Sequence, residues 1–313
     1  MRSARCRLPP WRNRAASTAW ASYCWGASYL PAIDGLREGL KDLGLEEGKQ
    51  YVFHVRDTKG DVTAVESAAK GLEDEKVDVI YAVTRSVAIT AQRATARVPI
   101  VFYSGTDPVA IGLIQSFAKP GGRLTGIYGR NTDLTGKRLE LLKAMVPKLR
   151  RVMTFYNTRE PAAEYALKLA RDAAQQLKLE LVERPITSVD ELRASLRALR
   201  HGEAEAFCYM ADAMIISQSD LIIEVAKAKR MATIFGDPAS VAKGGLASYG
   251  QSYQALGRLS AKYVNQILLG ANPATMPVEQ IDRLYFAINL KTAKAIGIAI
   301  PQSVQVRADE IIR

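Results

Sequence analysis

The sequence predicts an α/β protein of two lobes, each a doubly wound parallel sheet, and three observations carry that prediction. Apolar strands alternate with amphipathic helices from Leu30 onward, the pattern of βαβ units. The alternation runs through one plan twice, and each half ends its strand–helix–strand run on a Gly and an Asp-Pro pair, Asp107-Pro108 and Asp237-Pro238. The length of 313 residues suits two domains. In open α/β sheets ligands bind beyond the carboxyl ends of the strands. Two similar lobes would offer those ends, face to face, to one ligand.

In the first half, residues 30–44 read as an amphipathic helix closed by Gly44. A strand follows at 51–57, a helix at 62–75, and at 77–83 a near-continuous apolar strand of the kind buried in a parallel sheet. A helix at 87–95 and a strand at 99–104 complete the run. The second half repeats it, with strands at 150–157, 179–186, 204–210 and 232–236. The intervening helices fall at 161–178, 189–199 and 219–229.

Composition narrows the function classes. Five of the eleven net positive charges are arginines within residues 1–33, a stretch that has no acid. Beyond it Lys and Arg are mixed with Asp and Glu, as on a solvated surface, and no basic stripe with interleaved aromatics suggests nucleic acid. Three cysteines at no metal-ligand or redox spacing, and only two histidines, argue against a zinc site or a His-based triad. No metal and no cofactor are expected. The glycine cluster at 120–129 does not sit between a strand and a helix, as a dinucleotide fingerprint would. No run approaches the roughly 18 apolar residues of a transmembrane helix.

Residues 1–29 do not match the rest. They hold all three tryptophans, Trp11, Trp20 and Trp25, together with Cys6 and Cys24. A secretory signal needs an uninterrupted apolar stretch of about 7–15 residues, and AASTAWASYCWGA is broken by Ser, Thr and Tyr. The reading followed is a mis-assigned or frame-shifted start upstream of about residue 28, with a divergent export signal and a functional arm as alternatives. On that reading residues 1–27 pack poorly and contribute little to stability.

Several blocks then carry a family resemblance: GLREGLKDLGLEEGKQYVF, RVPIVFYSGTDPVAIGLIQSFAKPGGRLTGI, TGKRLELLKAMVPKLRRV, GGLASYGQSYQALGR and AINLKTAKAIGI. Together they resemble the ABC transporter substrate-binding family that includes tryptophan- and tyrosine-binding receptors, over about residues 30–313. The resemblance implies the type I periplasmic-binding-protein fold, two Rossmann-like doubly wound parallel-sheet lobes joined by a hinge. Lobe one would comprise 1–127 plus 249–277, and lobe two 128–248 plus 278–313. It also implies a monomeric solute receptor, not an enzyme, in the periplasm or cell envelope. Such a receptor binds a small polar or zwitterionic ligand, an amino acid or an aromatic carboxylate, and delivers it to an ABC transporter permease, with no nucleic-acid partner. The alternatives are a Rossmann-like enzyme and the effector-binding domain of a regulator; residues 1–29, with Pro9-Pro10, are too short for the helix-turn-helix of the latter.

The chain departs from the family in two places. The apolar strand that precedes the segment matching Ser28–Leu30 is replaced by the Trp/Arg-rich stretch. A Thr-Asp-Asn-like run of the amino-acid-binding members stands here as Met210-Ala211-Asp212-Ala213.

The candidate ligand contacts lie at strand ends. Thr84, Arg85 and Ser86 open a helix whose unpaired N–H groups suit a carboxylate, with Arg85 adding a charged donor; Thr84 acting as a simple cap is the alternative. Ser104, Thr106 and Asp107 end the next strand, where Asp before Pro is also a turn or N-cap residue; Asp237 ranks below Asp107 for the same reason. Asn157 offers an amide after the first strand of the second half. Asp212 follows AFCYM with no flanking Pro to suggest a capping role, and its carboxylate could hold a ligand ammonium. Tyr249 could close over an apolar ligand body or belong to the core.

Overall fold

The computed structural model describes residues 19–24, 29–58, 61–160 and 163–313. In the first half these form β1 (Ala19–Cys24), α1 (Leu30–Asp42), β2 (Val52–Asp57), α2 (Val62–Asp74), β3 (Val79–Val83), α3 (Arg85–Ala94), β4 (Ile100–Ser104) and β5 (Leu124–Gly129). The second half contains α4 (Thr135–Met145), β6 (Arg151–Asn157), α5 (Ala163–Gln176), β7 (Glu180–Ile186), α6 (Val189–Ala198) and β8 (Ala206–Cys208). It continues through α7 (Ala213–Ser217), α8 (Ser219–Ala228), β9 (Ala232–Phe235), α9 (Ala239–Ala242) and β10 (Ala247–Gly250). The chain closes with α10 (Tyr253–Leu268), β11 (Glu279–Ile281), β12 (Tyr285–Asn289), α11 (Leu290–Ile296), α12 (Gln302–Gln305) and β13 (Glu310–Ile312).

Two sheets result, one per lobe. The first runs β11-β5-β4-β3-β1-β2 and the second β13-β12-β10-β9-β8-β6-β7. All neighbours are parallel except β10 and β12, an antiparallel pair that strand periodicity does not foretell. The inner strands β3, β4 and β5 are buried along their whole length, and β3 and β4 are accordingly near-continuous apolar runs. The edge strands β2 and β7 carry His54, Arg56, Glu183 and Arg184 and are only half-buried; Pro185 is at home on such an edge. In the second lobe Leu139, Leu142 and Met145 of α4 share a core with Val152, Ala206 and Ile234. Phe155, Phe207 and Phe235 form a second row, with ring centroids 6.1 and 5.6 Å apart. Asp61, Ser188, Ser252 and Asn289 cap α2, α6, α10 and α11 by accepting from backbone N–H groups of the first turn.

One sequence expectation is overturned here. Residues 19–24, read as part of a poorly packing N-terminus, form β1, an inner strand. Its backbone pairs with β2 from Ala19↔Val52 to Cys24↔Asp57, and with β3 from Trp20↔Val79 to Tyr23↔Ala82. Trp and Tyr favour extended backbone, and pairing on both sides satisfies the strand's amides without requiring an apolar run. Residues 1–18 and 25–28, on which the reading of the start also rested, lie outside the described residues.

The chain passes between the sheets three times. It leaves the first after Gly129, returns after Gly250, and crosses again between Ile281 and Tyr285. Helix α10 thereby comes back to the first lobe and lies directly on α1. A Cβ at Gly257 would stand 1.9 Å from the Ala32 carbonyl oxygen, and one at Gly35 the same 1.9 Å from that of Gln254. Only glycine allows so close a backbone approach. Among the described residues, no helix is long and apolar enough to cross a membrane.

Candidate functional site

Strand order locates the site. In the first sheet the direction of winding reverses between β1 and β3, and in the second between β6 and β8. Such switch points open a crevice at the carboxyl ends of their strands. Here the two crevices face one another. From the first lobe come Tyr29 and the start of α3, Thr84–Ser86; from the second come Glu160, Tyr209 and Asp212. Asn131, Thr132 and Tyr253, beside the crossings, line the same cavity of about 50 Å³.

Thr84 sits at φ 137°, a costly conformation for a β-branched residue and one that concentrates at functional sites. Its hydroxyl accepts from Val87 N at 3.3 Å, so it caps α3 while bordering the cavity. Arg85, the first residue of α3, is 8% exposed. Burial lowers its pKa and the nearby Asp212 carboxylate opposes that shift; a guanidinium stays protonated in either case. Thr106, from the turn after β4, adds a hydroxyl.

Asp212 faces these groups from the second lobe. Its carboxylate accepts from Ile215 N at 3.0 Å and thereby caps α7, so the capping role discounted from sequence is present. Burial pushes its pKa up, against the helix amides and the charge of Arg85, which pull it down. The Tyr209 hydroxyl fixes the loop, accepting from Asp212 N at 3.1 Å and donating to Asp212 O at 3.2 Å. Tyr29, Tyr103, Tyr209 and Tyr253 give the cavity aromatic walls. Tyr253 stands edge-on to Tyr29 at 4.8 Å and to Tyr103 at 6.0 Å between ring centroids.

Behind the walls, Arg138 is fully buried and ties the crossings together. Its guanidinium donates to Tyr249 O at 2.9 Å and Asn131 O at 3.2 Å, contacts Asn131 Oδ1, and lies 5.5 Å from the Tyr209 ring centroid. Asp237 accepts from Ala239 N and Tyr253 N, both at 2.7 Å, which seats the first residue of α10. Its burial raises its pKa to about 6. Among the described residues no cluster of His, Cys, Asp and Glu could hold a metal ion.

Of the residues singled out from sequence, Thr84, Arg85, Ser86, Thr106 and Asp212 share this cavity. Asp107 lies further out, lining a wider mouth of about 590 Å³ with Phe117, Tyr128 and Tyr165, and caps the following turn through Val109 N at 2.8 Å. Three residues are placed elsewhere. Ser104 is wholly buried, its hydroxyl bonded to Thr106 O at 2.5 Å. The Asn157 side chain accepts from Arg159 N at 3.0 Å and shapes its own turn. Tyr249 packs edge-on against Phe286 at 6.4 Å, in the core of the second lobe. Sequence reasoning missed the four tyrosines and Glu160. Tyr103 and Tyr209, next to strand ends already singled out, were the detectable signals.

Two parallel-sheet lobes with a polar, aromatic-walled cavity between facing switch points have the build of a ligand receptor. The family described as ABC transporter substrate binding protein matches residues 22–312, and the chain belongs to that family. It is a solute-binding component of an ABC transporter; proteins of this kind work outside the cytoplasm or at the envelope, with a permease as partner. It is 29% identical over 274 residues to a tyrosine-binding protein of Clostridioides difficile, covering 86% of this chain and 78% of that one. A conserved domain protein of Vibrio cholerae has a solved structure at TM-score 0.83 and 26% identity, over 95% of this chain and all of that one. A Streptococcus ABC domain in complex with L-Trp overlays at TM-score 0.82 with 24% identity, over 96% of this chain and 100% of that one.

Proposed function

We propose that this receptor binds a small zwitterion of the α-amino-acid type and hands it to its permease without making or breaking a bond. One observation carries the reading: opposite charges from different lobes face one cavity. Arg85 and the first amides of α3 suit a carboxylate, Asp212 across the cleft suits an ammonium, and tyrosine rings stand around both. The names of the tyrosine-binding and L-Trp-bound relatives support the same ligand class. The two sheets with their helices are the moving lobes, and the crossings near 129–131, 250–252 and 281–285 are the hinge.

At about 50 Å³ the cavity is far smaller than the roughly 300–1,000 Å³ of ordinary ligand pockets, so the lobes part to admit a ligand. A ligand that spans both lobes favours the closed state by its differential affinity. The test is thermal unfolding with L-tyrosine, L-tryptophan and tyramine, each at about 100 times the dissociation constant expected of a receptor. A bound amino acid stabilises by about 2.7 kcal/mol at that excess, and tyramine, which lacks the carboxylate, should stabilise less. Equal shifts with all three, or none, would remove the zwitterion from the account.

A further inference from the structure

Glu160, which lines the cavity from the second lobe but takes no part in the zwitterion reading, makes a bridge across the cleft. It stands in the turn after β6 that the Asn157 side chain shapes. From there its carboxylate reaches into the opposite lobe, pairs with Arg85 and accepts from Ser86 Oγ at 3.1 Å. The pair is shielded, with the Arg85 side chain 9% and the Glu160 side chain 14% exposed. Its partners open α3, a helix of 10 residues whose first amides carry partial positive charge. These are the groups assigned above to the ligand's carboxylate.

We propose that Glu160 is the ligand-free occupant of the carboxylate seat, holding the lobes together until the ligand's own carboxylate displaces it. The identity of the displacing group rests on the zwitterion reading; the bridge itself does not. Exchange of one carboxylate for another leaves Arg85 compensated in both states, and an uncompensated buried charge is what such a cleft must avoid. A ligand with an ammonium but no carboxylate leaves Glu160 in place. Glu160 therefore sets specificity, scaling down the affinity of every carboxylate ligand to the fraction of protein in which the bridge is open.

The test uses the full chain with Glu160→Gln, which keeps shape and removes charge, and Glu160→Asp, which keeps charge and shortens reach. Small-angle scattering without ligand should show both variants more open than the wild type. By titration calorimetry Glu160→Gln should bind L-tyrosine about three- to tenfold more tightly and tyramine no more tightly than the wild type does. If the variants open but L-tyrosine binds neither them nor the wild type, the bridge stands and the zwitterion reading falls. Ligand-free scattering that superimposes on the wild type, or L-tyrosine binding that weakens in Glu160→Gln, would overturn the proposal.

Discussion

The two lobes follow one plan and are assembled from very different stretches of chain. In the second, the run from residue 135 to 250 supplies five neighbouring strands, β10-β9-β8-β6-β7, and β12 and β13 only extend one edge. In the first, β1 comes from the least typical part of the sequence, and α1 is packed by α10, which arrives after the chain has built most of the other lobe. The second lobe is thus held by contacts within one stretch, the first by pieces from distant ones. Both supply charge to the cleft, so the fragile assembly matters as much to binding as the robust one.

The contrast predicts where damage concentrates. Deleting residues 1–24 removes β1 and strands the amides of β2 and β3 that face it. Thermal unfolding of the deletion should lose more than about 8 °C, several kcal/mol for lobes of this size. Hydrogen exchange should show protection lost in β2 and β3 and retained in β6 to β9. A shorter deletion, residues 1–18, keeps β1 and separates its contribution from that of the residues before it. A melting temperature unchanged in both would remove the distinction between the lobes.

A second break tests the return of α10. Gly257→Ala forces a Cβ against the Ala32 carbonyl, and overpacking costs about 1–3 kcal/mol, the upper end being expected where the neighbour is backbone. Denaturant unfolding should show the loss as an early transition in the first lobe. A variant as stable as the wild type would mean that α1 and α10 separate freely.

How much of this was legible follows from the same contrast. The strands at 79–83, 100–104 and 151–157 are buried along nearly all their length, so their sequences are apolar runs and could be read directly. The sequence AWASYC offers no such run, because its place in the sheet is carried by backbone pairing on both sides. The candidate cavity was legible where its lining follows strand ends, as at Thr84–Ser86 and Asp212. For Tyr249 the sequence left ligand contact and core both open, because alternate residues of a strand face opposite sides of its sheet; its ring packs on Phe286. Tyr29 and Tyr253 lie far apart in sequence, and only the packing of α10 on α1 brings their rings together.

Asp237 sharpens the comparison, since this second-lobe residue seats the helix that completes the first lobe. Its pKa is raised in the fold from 3.8 to about 6. Its contribution to stability is therefore fully present below pH 3.8 and is lost as pH rises through about 6. Wild-type stability should gain about 1.4 kcal/mol relative to Asp237→Asn between about pH 7.5 and pH 5. Parallel pH profiles for the two proteins would show that Asp237 does not titrate in this range.

The most direct measurement is titration calorimetry of L-tyrosine against the wild type and Asp212→Asn. Asparagine caps a helix as well as aspartate does, so α7 should persist and the melting temperature should not fall; only the charge offered by the second lobe is removed. The account predicts a loss of about 1.5–3 kcal/mol, roughly one to two decades in affinity. An unchanged dissociation constant would contradict it, because the cleft would then hold its ligand without the opposed charges on which the proposed function rests.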